Sequence, residues 1–164
     1  GVGSYGVQIA KALGGEVTAV CSEKNTPLAT HLGASKVIDY HRHDFLKEGE
    51  RYDIIFDTIG RHDFKKCAAV LNNGGVYVST IPSPNNFKSM ATTKIKSFFS
   101  KATKKSKVVM VKPSSHDLAK VAALIFAGRV TPIIDQVFPL KHASKAHDRS
   151  RSLRATGKII LEVQ

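Results

Sequence analysis

Six residues, Gly1-Val2-Gly3-Ser4-Tyr5-Gly6, run without a break into Val7-Gln8-Ile9-Ala10-Lys11-Ala12-Leu13-Gly14. The glycines read G-x-G-x-x-G. Val7, Ala10 and Leu13 then recur at helical spacing until Gly14-Gly15 stops them. No other stretch limits the possible folds so strongly. The first glycine permits a tight turn, the second lets a diphosphate approach the backbone, and the third lets helix and strand pack closely. The helix start adds unpaired N–H groups and the positive end of a dipole. This is the signature of a dinucleotide-binding turn; its competing reading is a glycine-rich tail, and the residues that follow decide between them.

Those residues alternate. Glu16 to Cys21 is a β-branched run that reads as a strand buried on both faces. A helix is predicted from Asn25 to Leu32 with Pro27 in its first turn, then a strand from Lys36 to Tyr40. A polar segment with one helical turn near Phe45-Leu46 leads to a strand from Tyr52 to Asp57. A helix from His62 to Leu71, a turn at Asn72-Asn73-Gly74-Gly75 and a strand from Val76 to Ile81 follow, ended by Pro82 and Pro84. A lysine-rich helix is predicted from Lys88 to Lys101, with Ile95, Phe98 and Phe99 on its apolar side, then a strand from Lys107 to Val111. The next helix is capped by Ser114, with Asp117 three residues on, and Leu118, Val121, Ala122 and Ile125 form one face before Gly128 closes it. The tail reads as an extended segment from Val130 to Leu140, a basic helix from Ala143 to Leu153 and a strand from Lys158 to Val163. Strands and helices in this rhythm make an α/β domain with a doubly wound parallel sheet. The expected organisation is a dinucleotide-binding domain over residues 1–140, with a terminal helix and strand over 141–164.

Composition narrows the function classes. An apolar content of 42% fits a globular chain, and no apolar run approaches the ~20 residues of a membrane span. Cys21 and Cys67 stand far apart with no C-x-x-C, which excludes a disulfide scaffold and suits a reducing, cytoplasmic setting. His41 and His43 share a polar loop with nothing to complete a metal-ligand set, so no metal site is expected. The net charge of +12 is concentrated: no acidic residue falls between Asp63 and Asp117, where Lys88, Lys94, Lys96, Lys101, Lys104, Lys105, Lys107 and Lys112 gather. Such a face attracts anions. It fits a phosphorylated cofactor, a nucleic acid or an acidic surface, and equally a plain solvated helix face.

The second marker lies after the first strand, where a carboxylate would bind the ribose hydroxyls of NAD and repel a 2′-phosphate. Here the chain reads Cys21-Ser22-Glu23-Lys24-Asn25. A hydroxyl and an ammonium favour the 2′-phosphate of NADP over NAD. Glu23, turned inward, would take the NAD role; Lys24 also reads as ordinary helix-start solvation.

These residues resemble the cofactor domain of the medium-chain dehydrogenase/reductase superfamily, and within it the zinc-independent quinone oxidoreductase branch. The likeness runs through the glycine turn and its helix, Leu32-Gly33-Ala34, Val37-Ile38-Asp39-Tyr40, Phe56-Asp57-Thr58-Ile59-Gly60, Gly74-Gly75-Val76-Tyr77-Val78 and Thr156-Gly157-Lys158-Ile159-Ile160-Leu161, in family order over nearly the whole chain. The resemblance implies a Rossmann-type fold and hydride transfer from NADPH to a quinone or enone. It implies that Gly1, Val2, Gly3 and Ser4 hold the diphosphate, and that Ser22, Lys24 and Tyr40 meet the adenosine 2′-phosphate. Family members often carry a lysine one place later, where this chain has Asn25. Thr58 and Gly60 would pass under the cofactor, and Ser79, Thr80 and Ile81 would lie near the nicotinamide. Tyr40 also reads as a strand-end packing residue, and Ser79 and Thr80 as turn chemistry before Pro82. No catalytic residue is assigned: the cofactor carries the chemistry, and Asp57 and Asp63 read better as a strand end and a helix start than as an acid pair.

The resemblance also implies a preceding substrate domain and a central strand leading into Gly1. The expectation is therefore a C-terminal part of a longer enzyme, cut by an artificial boundary or by proteolysis and inactive alone, with the last strand pairing with the substrate domain. A homodimer through the strand near Lys107 to Val111 is a further expectation. The alternatives are a non-catalytic nucleotide-binding module and a basic nucleic-acid-binding module; the second lacks an aromatic-interleaved groove.

Overall fold

The computed structural model describes residues 1–100 and 103–163, with Phe99 as backbone only. The elements in chain order are α1 (Val2–Ala12), β1 (Thr18–Cys21), α2 (Thr26–His31), β2 (Lys36–Asp39), β3 (Tyr52–Asp57), α3 (Phe64–Cys67), β4 (Leu71–Ser79), α4 (Pro84–Phe99), β5 (Lys105–Val108), α5 (Ser115–Phe126), β6 (Ile134–Pro139), α6 (Ala143–Arg151) and β7 (Lys158–Glu162). Short 3-10 turns precede α2 and α6 and follow α3. Every strand pair is parallel, and each parallel pair is joined through helical or looped crossovers, the α/β alternation expected from the sequence.

The chain forms two compact units. The first comprises Gly1–Asp39 and the residues from Ser114 onward; the second is Tyr40–Pro113. In the first, β1 pairs with β2 from Thr18↔Lys36 to Cys21↔Asp39, and β6 pairs with β7. Its core gathers Ala12, Ala29, Leu32, Ala34, Ile38, Val130 and Ala146. Gln8, buried on α1, ties that helix to the segment before β6: its side chain accepts from the Thr131 N–H at 2.7 Å and donates to the Thr131 carbonyl at 3.0 Å. In the second unit, β3-β4-β5 form one sheet over Cys67, Val70, Leu71 and Tyr77. Thr93 on α4 accepts from the Ser106 N–H at 3.1 Å, which fixes that helix to β5.

Several expectations need correction. The helix predicted from His62 to Leu71 stops at Cys67 and turns 3-10, because Leu71 is already in β4, fully buried. The Asn72–Gly75 cluster is not a free turn. It bulges within β4, whose register against β3 jumps from Tyr52↔Leu71 to Ile54↔Val76. α4 starts at Pro84, not Lys88: Ser83 is its N-cap, accepting from the Asn86 N–H at 3.1 Å, and proline fits the first helical position. The Phe99 side chain and Lys101, assigned to this helix from sequence, lie outside the described residues. The strand expected from Lys107 begins at Lys105. β1 is half-buried rather than enclosed on both faces. The predicted face of α5 is not covered: Leu118 is 71% exposed, Phe126 is 96% exposed, and no residue of the helix is buried. Periodicity says which side of a helix is apolar, not that another element lies on it.

Candidate functional site

The glycine turn is built as its residue types require. Gly1 is the N-cap of α1 and has no side chain to offer, so the first amides of the helix, on Val2, Gly3 and Ser4, receive no side-chain cap. Ser4 spends its hydroxyl on the turn itself, donating to the Gly1 carbonyl at 2.8 Å. Uncapped amides and a positive helix end fit a diphosphate.

A buried carboxylate frames this turn. Asp135 on β6 is 4% exposed and grips Arg149 of α6 at 2.7 Å (Nε to Oδ2) and 2.8 Å (Nη2 to Oδ1). Asp135 Oδ1 also accepts from the N–H and hydroxyl of Thr156. The hydrogen bonds from Arg149, and then the Thr156 amide, hold the Asp135 carboxyl well below the usual carboxylate range. The Thr156 carbonyl accepts from Gly1 N at 3.5 Å. Next to it, Gly157 passes so close to Ile133 that an added Cβ would strike the Ile133 carbonyl oxygen, the same oxygen that accepts from the Lys158 N–H at 2.6 Å.

After β1, Ser22 is half-buried and accepts from Asn25 Nδ2 at 3.3 Å, while Glu23 and Lys24 are exposed on a 3-10 turn. Burial, with smaller help from Asp39, raises the Cys21 thiol above its ordinary value.

The second unit holds the other residues singled out from sequence. Tyr40 is exposed, packs beside His41, and carries the Arg61 guanidinium 4.9 Å from its ring centroid. The 58–60 turn is closed by Asp57, whose Oδ1 accepts from the N–H of Ile59 at 2.9 Å and of Gly60 at 2.7 Å. Thr80 N–H donates to the Asp57 carbonyl at 3.0 Å, which draws the ends of β3 and β4 together. Gly60 has φ +78°, and a Cβ there would lie 3.2 Å from the Ile81 side chain, so no other residue fits without strain. Thr58, Gly60, Thr80 and Ile81 are therefore one cluster. Ser79 belongs to it but is fully buried, and its hydroxyl is engaged with the Ile81 backbone on both sides.

Asp57 and Tyr77 had not been singled out as site residues. Asp57 Oδ2 accepts from the hydroxyl of fully buried Tyr77 at 3.0 Å, and that hydroxyl also donates to the His62 carbonyl at 2.7 Å. Burial and then the Asp57 charge push the Tyr77 hydroxyl up, and burial with Asp57 and Asp63 pushes buried Cys67 up to about 12. The signal for Asp57 was available: an aspartate three residues before a glycine caps its own turn. For Tyr77 and Arg61 no local pattern exists. Asp63 is the helix start read from sequence, its carboxylate accepting from the Lys66 N–H. Among the described residues no three His, Cys, Asp or Glu side chains cluster as metal ligands, and no helix is long and apolar enough to cross a membrane.

Parallel strands, helical crossovers and a glycine turn at a helix start define an α/β domain of the Rossmann type. The chain belongs to the zinc-binding dehydrogenase family, whose model matches residues 32–161, as a quinone-oxidoreductase-like C-terminal domain of the medium-chain dehydrogenase/reductase superfamily. It is 32% identical to a chloroplast envelope quinone oxidoreductase homolog of Arabidopsis thaliana, over 99% of this chain and 49% of that protein. It is 28% identical to the mitochondrial NAD(P)H oxidoreductase RTN4IP1 of Danio rerio, over 99% of this chain and 46% of that one. Among solved structures it superposes on the quinone oxidoreductase from Coxiella burnetii with a TM-score of 0.82 at 24% identity, over 100% of this chain and 50% of that chain. The chain thus spans about half the length of the relatives it matches.

Proposed function

We propose that this chain is the cofactor-binding part of an NADPH-dependent oxidoreductase that passes hydride to a quinone, enone or similar carbonyl compound. The observation that carries the reading is the start of α1, where a glycine N-cap leaves the amides of Val2, Gly3 and Ser4 without a side-chain cap. When bound, the reduced nicotinamide supplies the hydride. The residues here bind and orient: Gly1 to Ser4 take the diphosphate, and the Thr58–Gly60 turn with Thr80 and Ile81 carries the nicotinamide half. Ser79 contributes through the turn it ties. Ser22 and Lys24, with Tyr40, take the 2′-phosphate. Exposed Lys24 and the absence of a carboxylate at Ser22 favour NADPH.

The names of relatives lend support, since they include quinone oxidoreductases and an NAD(P)H oxidoreductase. The substrate domain, the acceptor and turnover belong to the longer protein that those relatives represent. Cytoplasmic residence is part of the same proposal and rests on two free cysteines, with the chloroplast and mitochondrial relatives marking the competing locations. Homodimer formation would use β5, the edge strand of its sheet, which leads into exposed Val109, Met110 and Val111.

The test is ligand-dependent melting of this chain. NADPH at a hundredfold excess over its Kd adds about 2.7 kcal/mol of stability, and NADH adds less. Equal shifts with both cofactors would defeat the NADP assignment, and no shift with either would defeat the reading.

A further inference from the structure

The lysines of the acid-free stretch after Asp63 are not used by the proposed reading. In the second unit some of them wall a cleft. An open cavity of about 230 Å³ lies between the Gly60–Asp63 turn, Lys66 of α3 and the Ser83–Asn86 start of α4. A neighbouring depression of about 200 Å³ shares Asp63 and Asn85 with it and adds Lys65 and Lys88. Four cations, Arg61, Lys65, Lys66 and Lys88, therefore ring one concavity. The only carboxylate on its wall is Asp63, and one oxygen of that group caps α3 through the Lys66 N–H. None of the four cations is paired with a carboxylate among the described residues.

Three further features converge here. The start of the 16-residue helix α4 forms one wall, so the positive end of its dipole adds to the four charges. The Arg61 guanidinium lies over the Tyr40 ring, 4.9 Å from its centroid, a contact that restrains the side chain without using its N–H donors. His62 contributes a buried Nδ1 that has no hydrogen-bond partner. A cavity of this size falls below the ~300 Å³ of sites that enclose a whole small molecule, so its occupant is one group of a larger ligand. Concave cationic walls focus the field and concentrate anions, and a planar guanidinium edge matches phosphate oxygens.

We propose that this cleft is an anion site that takes a terminal phosphate or diphosphate. The source of that group is either the nicotinamide cofactor or a second, phosphorylated ligand. The cleft shares Gly60 and Ile81 with the turn given to the nicotinamide half; the assignment rests on its cationic wall, which that reading does not use.

Inorganic pyrophosphate titrated into the isotope-labelled 164-residue chain at low salt tests it. Saturable amide shifts are expected in residues 61–66 and 85–89. Lys66→Ala with Lys88→Ala should weaken binding roughly tenfold, while Lys120→Ala with Lys145→Ala should change it less than twofold. Shifts spread evenly over all lysines, an equal loss in both double variants, or no saturable shift would overturn the proposal. A competition arm identifies the source. If NADPH displaces pyrophosphate and the Lys66/Lys88 variant weakens both, the phosphate is the cofactor's; if the two bind together, it belongs to a second ligand.

Discussion

Two glycine-bearing turns in this molecule handle their amides in opposite ways. At Ile59-Gly60 the N–H groups are taken internally by Asp57, and that carboxylate is itself held by Tyr77. At Val2–Ser4 no side chain caps the amides. A closed turn is complete as a piece of structure, whereas an open one keeps its donors available to water or to a ligand. The contrast separates the two turns better than glycine spacing does, because the same residue type serves both.

The open turn nonetheless depends on a carboxylate at one remove. Asp135 holds Thr156, whose carbonyl faces Gly1. Asp135→Ala strands Arg149 and Thr156 and should cost about 3 kcal/mol, the low end for breaking a buried pair because Arg149 is partly exposed. Urea denaturation measures it. The pH dependence has a fixed sign. The folded-state pKa of Asp135 is depressed, so its contribution is fully present above the unfolded value of about 4 and is lost as pH falls below that toward the folded value. Wild type should therefore lose stability between about pH 4 and pH 2 more steeply than Asp135→Asn. Parallel acid profiles for the two proteins would remove Asp135 from this role.

Breaking the closed turn comes next in size. Asp57→Ala removes the acceptor of two turn amides and one of the two acceptors of the Tyr77 hydroxyl, and should cost about 2 kcal/mol. Ser4→Ala in the open turn removes one exposed hydrogen bond and should cost under about 1 kcal/mol. If the two substitutions cost the same, the distinction between closed and open turns fails.

This difference explains what the sequence disclosed. Local signals that act within a few residues were legible: the spacing of Val7, Ala10 and Leu13 in α1, the Ser114 hydroxyl that accepts from the Asp117 N–H at the start of α5, and Asp63 at the start of α3. Pairings across strands were not. The Asn72–Gly75 cluster looks like a turn because its residues favour one. Only the β3 partner, which advances two residues while β4 advances five, shows it to be a bulge. The hold of Tyr77 on Asp57 spans 20 residues and leaves no spacing to read. Among candidate site residues the same rule applies: Gly1 to Ser4 are singled out by motif, whereas the contact of Arg61 with the Tyr40 ring exists only once the chain has folded.

The smallest expected effect is the most informative about the cofactor. In the proposed reading Ser22 takes the place of a carboxylate that would bind ribose hydroxyls, and its hydroxyl accepts from Asn25. Ser22→Asp places a negative charge there, close to the exposed ammonium of Lys24. Fold stability should change by under about 0.5 kcal/mol, as for most partly exposed polar substitutions. The added charge repels a 2′-phosphate and accepts from ribose hydroxyls, so preference should move from NADPH towards NADH by about 1–2 kcal/mol, roughly tenfold. Melting shifts with the two cofactors read this directly. An unchanged ratio would mean that Ser22 does not meet the 2′-position, and the NADP assignment would then rest on Lys24 and Tyr40. A reversed ratio would show that the strand-end position after β1 sets the choice while the open turn at Val2–Ser4 accepts either diphosphate.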